Sequence, residues 1–301
     1  MTAIPRHSHL AGIIPVANLK TDFDMDIPAI MMPVDAGYTA IQKAVFECAM
    51  VGCQTIWIVA NDDLAPIVRN RVGEWVYDPV YYSRKFTKFY QGVRKEIPIY
   101  YVPIHPKDRD RRDSYGWGAL YGVLAAWKTA YKISKWLLPD KYYITFPMSA
   151  YDIYSLREHR IKISSMKENF FLTHNDKTVK DNLPLAFTMF GKDFKACRKA
   201  VNKKTTRTFV NPPPGEMPSE KLPLEERWSA RHFDFKEVFG EVEEKNASRL
   251  EMEWFYDLSK WREYREFLGS ENNIKKPEEG LTRTHKHSKI FMKEGKSRFA
   301  S

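Results

Sequence analysis

Two short apolar runs flanking one amphipathic stretch constrain this chain more than any other feature. Residues 11–17 (AGIIPVA) and 55–60 (TIWIVA) are almost wholly apolar and too short for buried helices, so each reads as a strand covered on both faces. Between them, residues 38–50 (YTAIQKAVFECAM) put Ile41, Ala44, Val45 and Cys48 at offsets of three and four, the spacing of an amphipathic helix. Gly52 follows as its stop signal. Residues 18–33, rich in Asp and Pro, are the loop from the first strand to this helix. A strand, a crossover helix and a second strand form a parallel pair joined by a right-handed connection.

The same alternation continues. Residues 63–75 read as a helix, 97–104 (IPIYYVPI) as a strand, 117–138 as a long apolar-faced helix and 142–146 as another strand. Further on, residues 169–172 and 185–190 read as strands and 192–201 as a helix. Residues 211–223 (NPPPGEMPSEKLP) are a proline-dense loop, and residues 253–267 hold a short strand and an aromatic-rich helix. The expectation is a doubly wound, mostly parallel α/β sheet. It occupies residues 1–269 as one domain, followed at 270–301 by a basic tail in which apolar residues become sparse.

Composition excludes several classes. With 301 residues, 43% of them hydrophobic, the chain can bury a sizeable core. No run of about 18 apolar residues occurs, so no membrane-spanning helix is expected. Three cysteines (Cys48, Cys53 and Cys197) make no disulfide framework, which points to a reducing, cytoplasmic setting. The net charge of +10 favours polyanionic partners: nucleotides, or nucleic acid reached through the basic surface and tail. The pairs His7/His9 and His285/His287 have no carboxylate or cysteine cluster beside them, and no P-loop, GxSxG or HExxH motif is present.

In parallel sheets, ligands collect at the carboxyl ends of the strands. That edge offers Asn18, Lys20, Asp22 and Asp24 after the first strand, and Asn61 to Asp63 after the second. Lys20 and Asn18 suit a phosphate and a base, and the alternative is a solvated loop. Gly116 and Gly118 stand just ahead of the long helix, where a ligand can approach free N–H groups, though two glycines also suit an ordinary turn. Before them, residues 107–114 (KDRDRRDS) are either a charged surface loop or a phosphate grip through Arg109, Arg111 and Arg112. Asp152, just past a strand end, either coordinates a metal bridging phosphates or caps the next helix.

Four segments, in order, resemble the sugar-nucleotide pyrophosphorylases. They are AGIIPVAN with DIPAIMMPV, the helix ending in MVGCQTIWIVAN, YGWGALYGVLAAW with YYITFPMSAYD, and EMEWFYDLSKWREYREFL. The resemblance spans about 250 residues and implies a GT-A-like nucleotidyltransferase fold. It implies a nucleotidyltransferase or glycosyltransferase acting on a nucleotide or sugar nucleotide with Mg²⁺ or Mn²⁺. Pro15, Ala17, Asn18, Asn61, Gly116 and Gly118 would then contact the nucleotide, Lys20 and Asp152 would be catalytic, and Asp152 with Asp257 would hold the metal. The chain also departs from the pattern. The family's glycine-rich, arginine-containing loop is replaced by Ala17 to Asp22, its Pro-Lys by Pro28-Ala29, and its Gly-Asp by Pro147-Met148-Ser149. Phosphoryl transfer depends on charge placed on the phosphates, so these losses imply, as the alternative, a lapsed enzyme kept for nucleotide binding, nucleic-acid association or assembly.

Overall fold

The computed structural model describes residues 9–17, 19–80, 96–104, 115–133, 138–205 and 233–277. Strand β1 (Leu10–Pro15) is buried along its whole length. A 3-10 turn at Ala29–Met31 and the hairpin of β2 (Pro33–Asp35) and β3 (Tyr38–Thr39) lead into helix α1 (Ala40–Val51). The Thr39 N–H donates to Gln42 Oε1 at 3.1 Å, which satisfies a backbone donor at the helix start. The helix ends at Gly52, whose φ of +95° is open to glycine and costly for other residues. Strand β4 (Thr55–Ala60) then pairs parallel with β1, Ala11 opposite Thr55 and Pro15 opposite Val59. This is the strand–helix–strand unit expected from the sequence.

Helix α2 (Leu64–Val72) is shorter than the expected 63–75. Gly73, at φ +86°, breaks it, and Trp75 opens β5 (Trp75–Tyr77) instead. Strand β5 runs antiparallel to β6 (Glu96–Pro103), which is itself parallel to β4. Helix α3 (Tyr115–Ile133) starts two residues earlier than the pattern indicated, so Gly116 and Gly118 lie within its first turn rather than ahead of it. Gly122 lets α3 press onto the sheet: a Cβ there would come within 2.6 Å of Val59 and 2.7 Å of Ile13.

Strand β7 (Lys141–Ile144) pairs parallel with the other side of β1. After it come β8 (Ser149–Ala150), α4 (Leu156–Ile163), β9 (Phe170–Thr173), β10 (Phe187–Phe190) and α5 (Gly191–Thr205). The short α6 (Phe235–Phe239), β11 (Ser248–Glu251), β12 (Tyr256–Asp257) and α7 (Trp261–Gly269) complete the fold. Eight strands form one mixed, mostly parallel sheet in the order β11-β9-β10-β7-β1-β4-β6-β5. Alternating residues of β1 feed two cores: Leu10 and Ile14 pack with α1, and Ala11 and Ile13 with α3.

Past α7 the chain stays packed for several residues. Ile274 is buried, the Lys276 N–H donates to Asp35 Oδ2 at 2.8 Å, and Tyr154 donates its hydroxyl to the Lys275 carbonyl at 2.6 Å. The remainder of the basic tail and the proline-dense loop lie outside the described residues. Among the described residues no helix is long and apolar enough to cross a membrane.

Candidate nucleotide site

The carboxyl ends of β1 and β7 meet the first turn of α3, the latter through the rings of Phe146 and Tyr115, 5.3 Å apart. The contact that fixes this is Pro15, the last residue of β1: a Cβ built on Gly118 would stand 3.5 Å from it. Beyond Pro15 the chain bends, and the N–H groups of Val16 and Ala17 both donate to the Val59 carbonyl, at 2.9 and 3.1 Å. Those two amides are therefore committed to the fold and do not form an anion-binding nest. Ala17 is fully buried on the α3 side, while Lys20 is exposed on the following loop. Asn18, Arg109, Arg111 and Arg112 lie outside the described residues.

The same loop is fastened at its far side. The Asp22 N–H donates to the Ser259 carbonyl at 3.1 Å, and Asp22 Oδ1 accepts from the Trp261 N–H at 2.7 Å. Phe23 packs on the Trp261 ring at 5.6 Å. Asp22 thus caps the start of α7 from across the sequence, and a loop read as solvated or phosphate-binding is held by the carboxyl-terminal helix.

Three side-chain atoms at this edge are buried without a partner, one of them the Thr145 hydroxyl just past β7. Asn61 follows β4; its carbonyl accepts from Leu64 and Ala65, but its side-chain Oδ1 meets no donor. Tyr115, the first residue of α3, has an equally unpartnered hydroxyl. Burial pushes the Tyr115 hydroxyl well above the usual tyrosine range, and the charge of Asp257 adds to this. An unmet buried acceptor and a neutral phenol are groups that a ligand with its own donors and acceptors would satisfy. Gly116 has a more local reason. A Cβ there would meet Phe235 and Val238 at 3.2 Å, so its small size serves the seating of α6 against α3.

The carboxylates occupy different surroundings. Asp257 lies opposite Ser149 in the β12–β8 pair, and Leu258 donates its N–H to the Met148 carbonyl at 2.9 Å. Its carboxylate accepts from the Ser259 hydroxyl at 2.6 Å and the Ser259 N–H at 3.1 Å, and it pairs with Lys260 at 3.3 Å. Asp152 lies beyond β8 on the approach to α4, where Oδ1 accepts from the Tyr154 N–H at 2.9 Å. That bond closes a turn ahead of α4, whose N-cap position is Ser155. The β7–β8 turn between these acids carries Phe146, Pro147 and Met148, with no carboxylate.

This donor set does not fit a divalent cation that bridges phosphates. Such an ion needs several oxygen ligands free to turn toward it. Asp257 has one oxygen on Ser259 and the other on an ammonium, and Asp152 Oδ1 is engaged by the Tyr154 N–H. Among the described residues no group of three or more His, Cys, Asp or Glu is arranged to hold a metal.

A feature that the motifs did not reveal lies beneath the β7–β8 turn. Lys43 of α1 is fully buried, and its ammonium donates to the carbonyls of Ser149 at 2.6 Å and Phe146 at 3.4 Å. Glu47, one turn on, pairs with it at 3.5 Å and accepts hydroxyl hydrogen bonds from Tyr143 and Tyr151, both at 2.7 Å. Burial lowers the Lys43 pKa, with Glu47 opposing the shift. The sequence signal was two charges inside a mostly apolar helix. A separate cavity of about 330 Å³, lined by Pro33 to Gly37, Phe267, Leu268 and Asn273, contains none of the candidate residues.

Comparison with known proteins agrees with this architecture. The chain is similar to a candidate glucose-1-phosphate thymidylyltransferase from Bacillus anthracis, with a TM-score of 0.53 and 12% identity over 89% of this chain and 98% of that one. It is also similar to a UDP-glucose pyrophosphorylase from Acinetobacter baumannii, with a TM-score of 0.48 and 13% identity over 86% and 92% of the two chains. No protein-family model matches the chain, and no curated protein matches it in sequence. The first likeness, with the sheet order above, establishes the fold as that of the nucleotidyltransferases, the class the sequence resembles.

Proposed function

We propose that this chain is a diverged nucleotidyltransferase-type protein that binds a nucleotide or sugar nucleotide at the carboxyl edge of its sheet. The observation carrying this reading is the set of unpartnered buried atoms, Asn61 Oδ1, the Thr145 hydroxyl and the Tyr115 hydroxyl, at the edge where open α/β sheets take their ligands. Nucleotidyl or glycosyl transfer is the reaction class to assay. The loss of a carboxylate from the β7–β8 turn and the Lys260 partner on Asp257 favour a second reading, in which binding is kept and transfer has lapsed.

Calorimetric titration with nucleoside triphosphates and with UDP-glucose tests the first part. Binding of one class, weakened about tenfold in Asn61→Ala or Tyr115→Phe, supports the pocket. No heat with any of them overturns it. Pyrophosphate release from a triphosphate and a sugar 1-phosphate then separates a working transferase from a binding protein.

A further inference from the structure

The carboxylate that the resemblance assigns to a metal already has a cation of the chain's own. Lys260 Nζ lies 3.3 Å from Asp257 Oδ2 and 2.8 Å from Glu263 Oε1, and about half of its side chain remains exposed. Glu263 also accepts the Asp257 N–H, at 2.6 Å, so the three residues form one closed cluster. The cluster is fixed from outside as well, since Asp22 binds the N–H of the next residue, Trp261. Asp257 lies opposite Ser149, whose hydroxyl donates to the Phe146 carbonyl at 2.7 Å, and the Phe146 ring is 5.3 Å from that of Tyr115, the first residue of α3. The half-exposed ammonium is thus tied, through Asp257, to the β7–β8 turn that Tyr115 packs on, and two carboxylates engage only part of its donor capacity.

Resting on the nucleotide-binding reading above, we infer that this site takes its ligand without a divalent cation, Lys260 standing where a metal would otherwise join Asp257 to a phosphate. The physical basis is competition for one carboxylate. The ammonium lies 3.3 Å from one carboxylate and 2.8 Å from a second, so it already neutralises the charge that would attract a divalent ion. A Mg²⁺ ion would have to displace it and also give up tightly held water, with no second acid at the β7–β8 turn to compensate. Lysine binds phosphate as a point charge, so contact with the ligand through one remaining N–H is sufficient for recognition but gives little bridging of two phosphates.

The test is calorimetric titration of the full chain with nucleoside triphosphates and UDP-glucose, once in EDTA and once in millimolar Mg²⁺. The expected result is binding in EDTA, with affinity in Mg²⁺ unchanged to within about twofold. Lys260→Met is expected to lose about tenfold in EDTA, the effect of removing one charge-assisted hydrogen bond. Because the variant frees Asp257 and Glu263, added Mg²⁺ is expected to restore part of that loss. Wild-type binding that appears only with Mg²⁺ overturns the inference while upholding the nucleotide site. Unchanged binding by Lys260→Met in EDTA overturns it too. Absence of binding under both conditions overturns the nucleotide reading itself, and the inference with it.

Discussion

Two lysine–carboxylate pairs of similar length lie on either side of the β7–β8 turn, and they do different things. Lys43 and Glu47 meet at 3.5 Å with both side chains wholly buried. Lys260 and Asp257 meet at 3.3 Å with about half of the lysine exposed. The buried pair cannot exchange its partners for water, so every donor and acceptor must be met within the protein: two carbonyls for Lys43, two tyrosine hydroxyls for Glu47. Its consequence is structural, and it fixes the shape of the turn. The rim pair can exchange partners with solvent or a ligand, so it adds little to stability and is free to act in recognition.

The comparison breaks most sharply at Lys43. Lys43→Met leaves Glu47 charged and buried, and is expected to cost about 3–5 kcal/mol of folding stability, measured by urea denaturation. Lys43→Met with Glu47→Leu removes both charges and is expected to recover much of that cost, because apolar replacement of a whole buried pair is often neutral. If the single variant lost no more than a surface substitution does, the contrast between the two pairs would collapse. Next in size is Tyr151→Phe, which deletes one of the two hydroxyl donors to Glu47. A cost of about 1.5–3 kcal/mol is expected, the range for hydrogen bonds to a charged group. Tyr143→Phe should cost a similar amount, and the double variant should depart from the sum, since both hydroxyls bind the same carboxylate oxygen.

Stability against pH sharpens the burial half of the contrast. Lys141 is largely buried, and its ammonium donates to the carbonyls of Ile163, Ser165 and Glu168; burial lowers its pKa to about 8 from an ordinary 10.5. Between these values the unfolded chain binds more protons than the folded one, so Lys141 makes stability rise with pH, by at most about 1.4 kcal/mol per unit. Lys43 is shifted in the same direction. The buried hydroxyls of Tyr38, Tyr115, Tyr143 and Tyr151 are all raised, by burial first. Above about pH 10 the unfolded chain loses those protons sooner, and stability falls. Urea midpoints should therefore pass through a maximum on the alkaline side, and a monotonic fall from neutral pH would contradict the lysine assignment.

The sheet was legible because its signal is local. Buried parallel strands are short apolar runs, the helix between the first two repeats apolar residues at helical spacing although all of its residues are buried, and Gly52 marks its end. The errors came where a single residue decided an element. Trp75 went to a strand because Gly73 stops α2, and Gly116 lies inside α3 because that helix begins at Tyr115. The site was less legible, since its contacts join residues far apart in the chain. Nothing near Asp22 indicates that it caps a helix beginning at Trp261, and nothing near Lys43 indicates that it holds a turn 103 residues later. Asp152 and Asp257 were grouped by the resemblance, whereas their hydrogen-bond partners are set by the turns that each occupies.

At the small end, the rim pair should be almost invisible to a denaturant. Lys260→Met removes an ion pair that solvent already screens and leaves the Ser259 hydrogen bonds to Asp257 in place. The expected loss is within about 1 kcal/mol and shrinks further as salt is added. Asp22→Ala is the useful control on the same turn, because it removes the cap on the Trp261 N–H without changing the Lys260 side chain. It should cost about 1 kcal/mol, with little dependence on salt. A Lys260 variant as damaging as Lys43→Met would mean that the rim cluster is a structural element after all, and that the ammonium is not available to a ligand. Equal and small effects from Lys260→Met and Asp22→Ala, with only the former changing nucleotide affinity in EDTA, would separate recognition from folding on one turn of the chain.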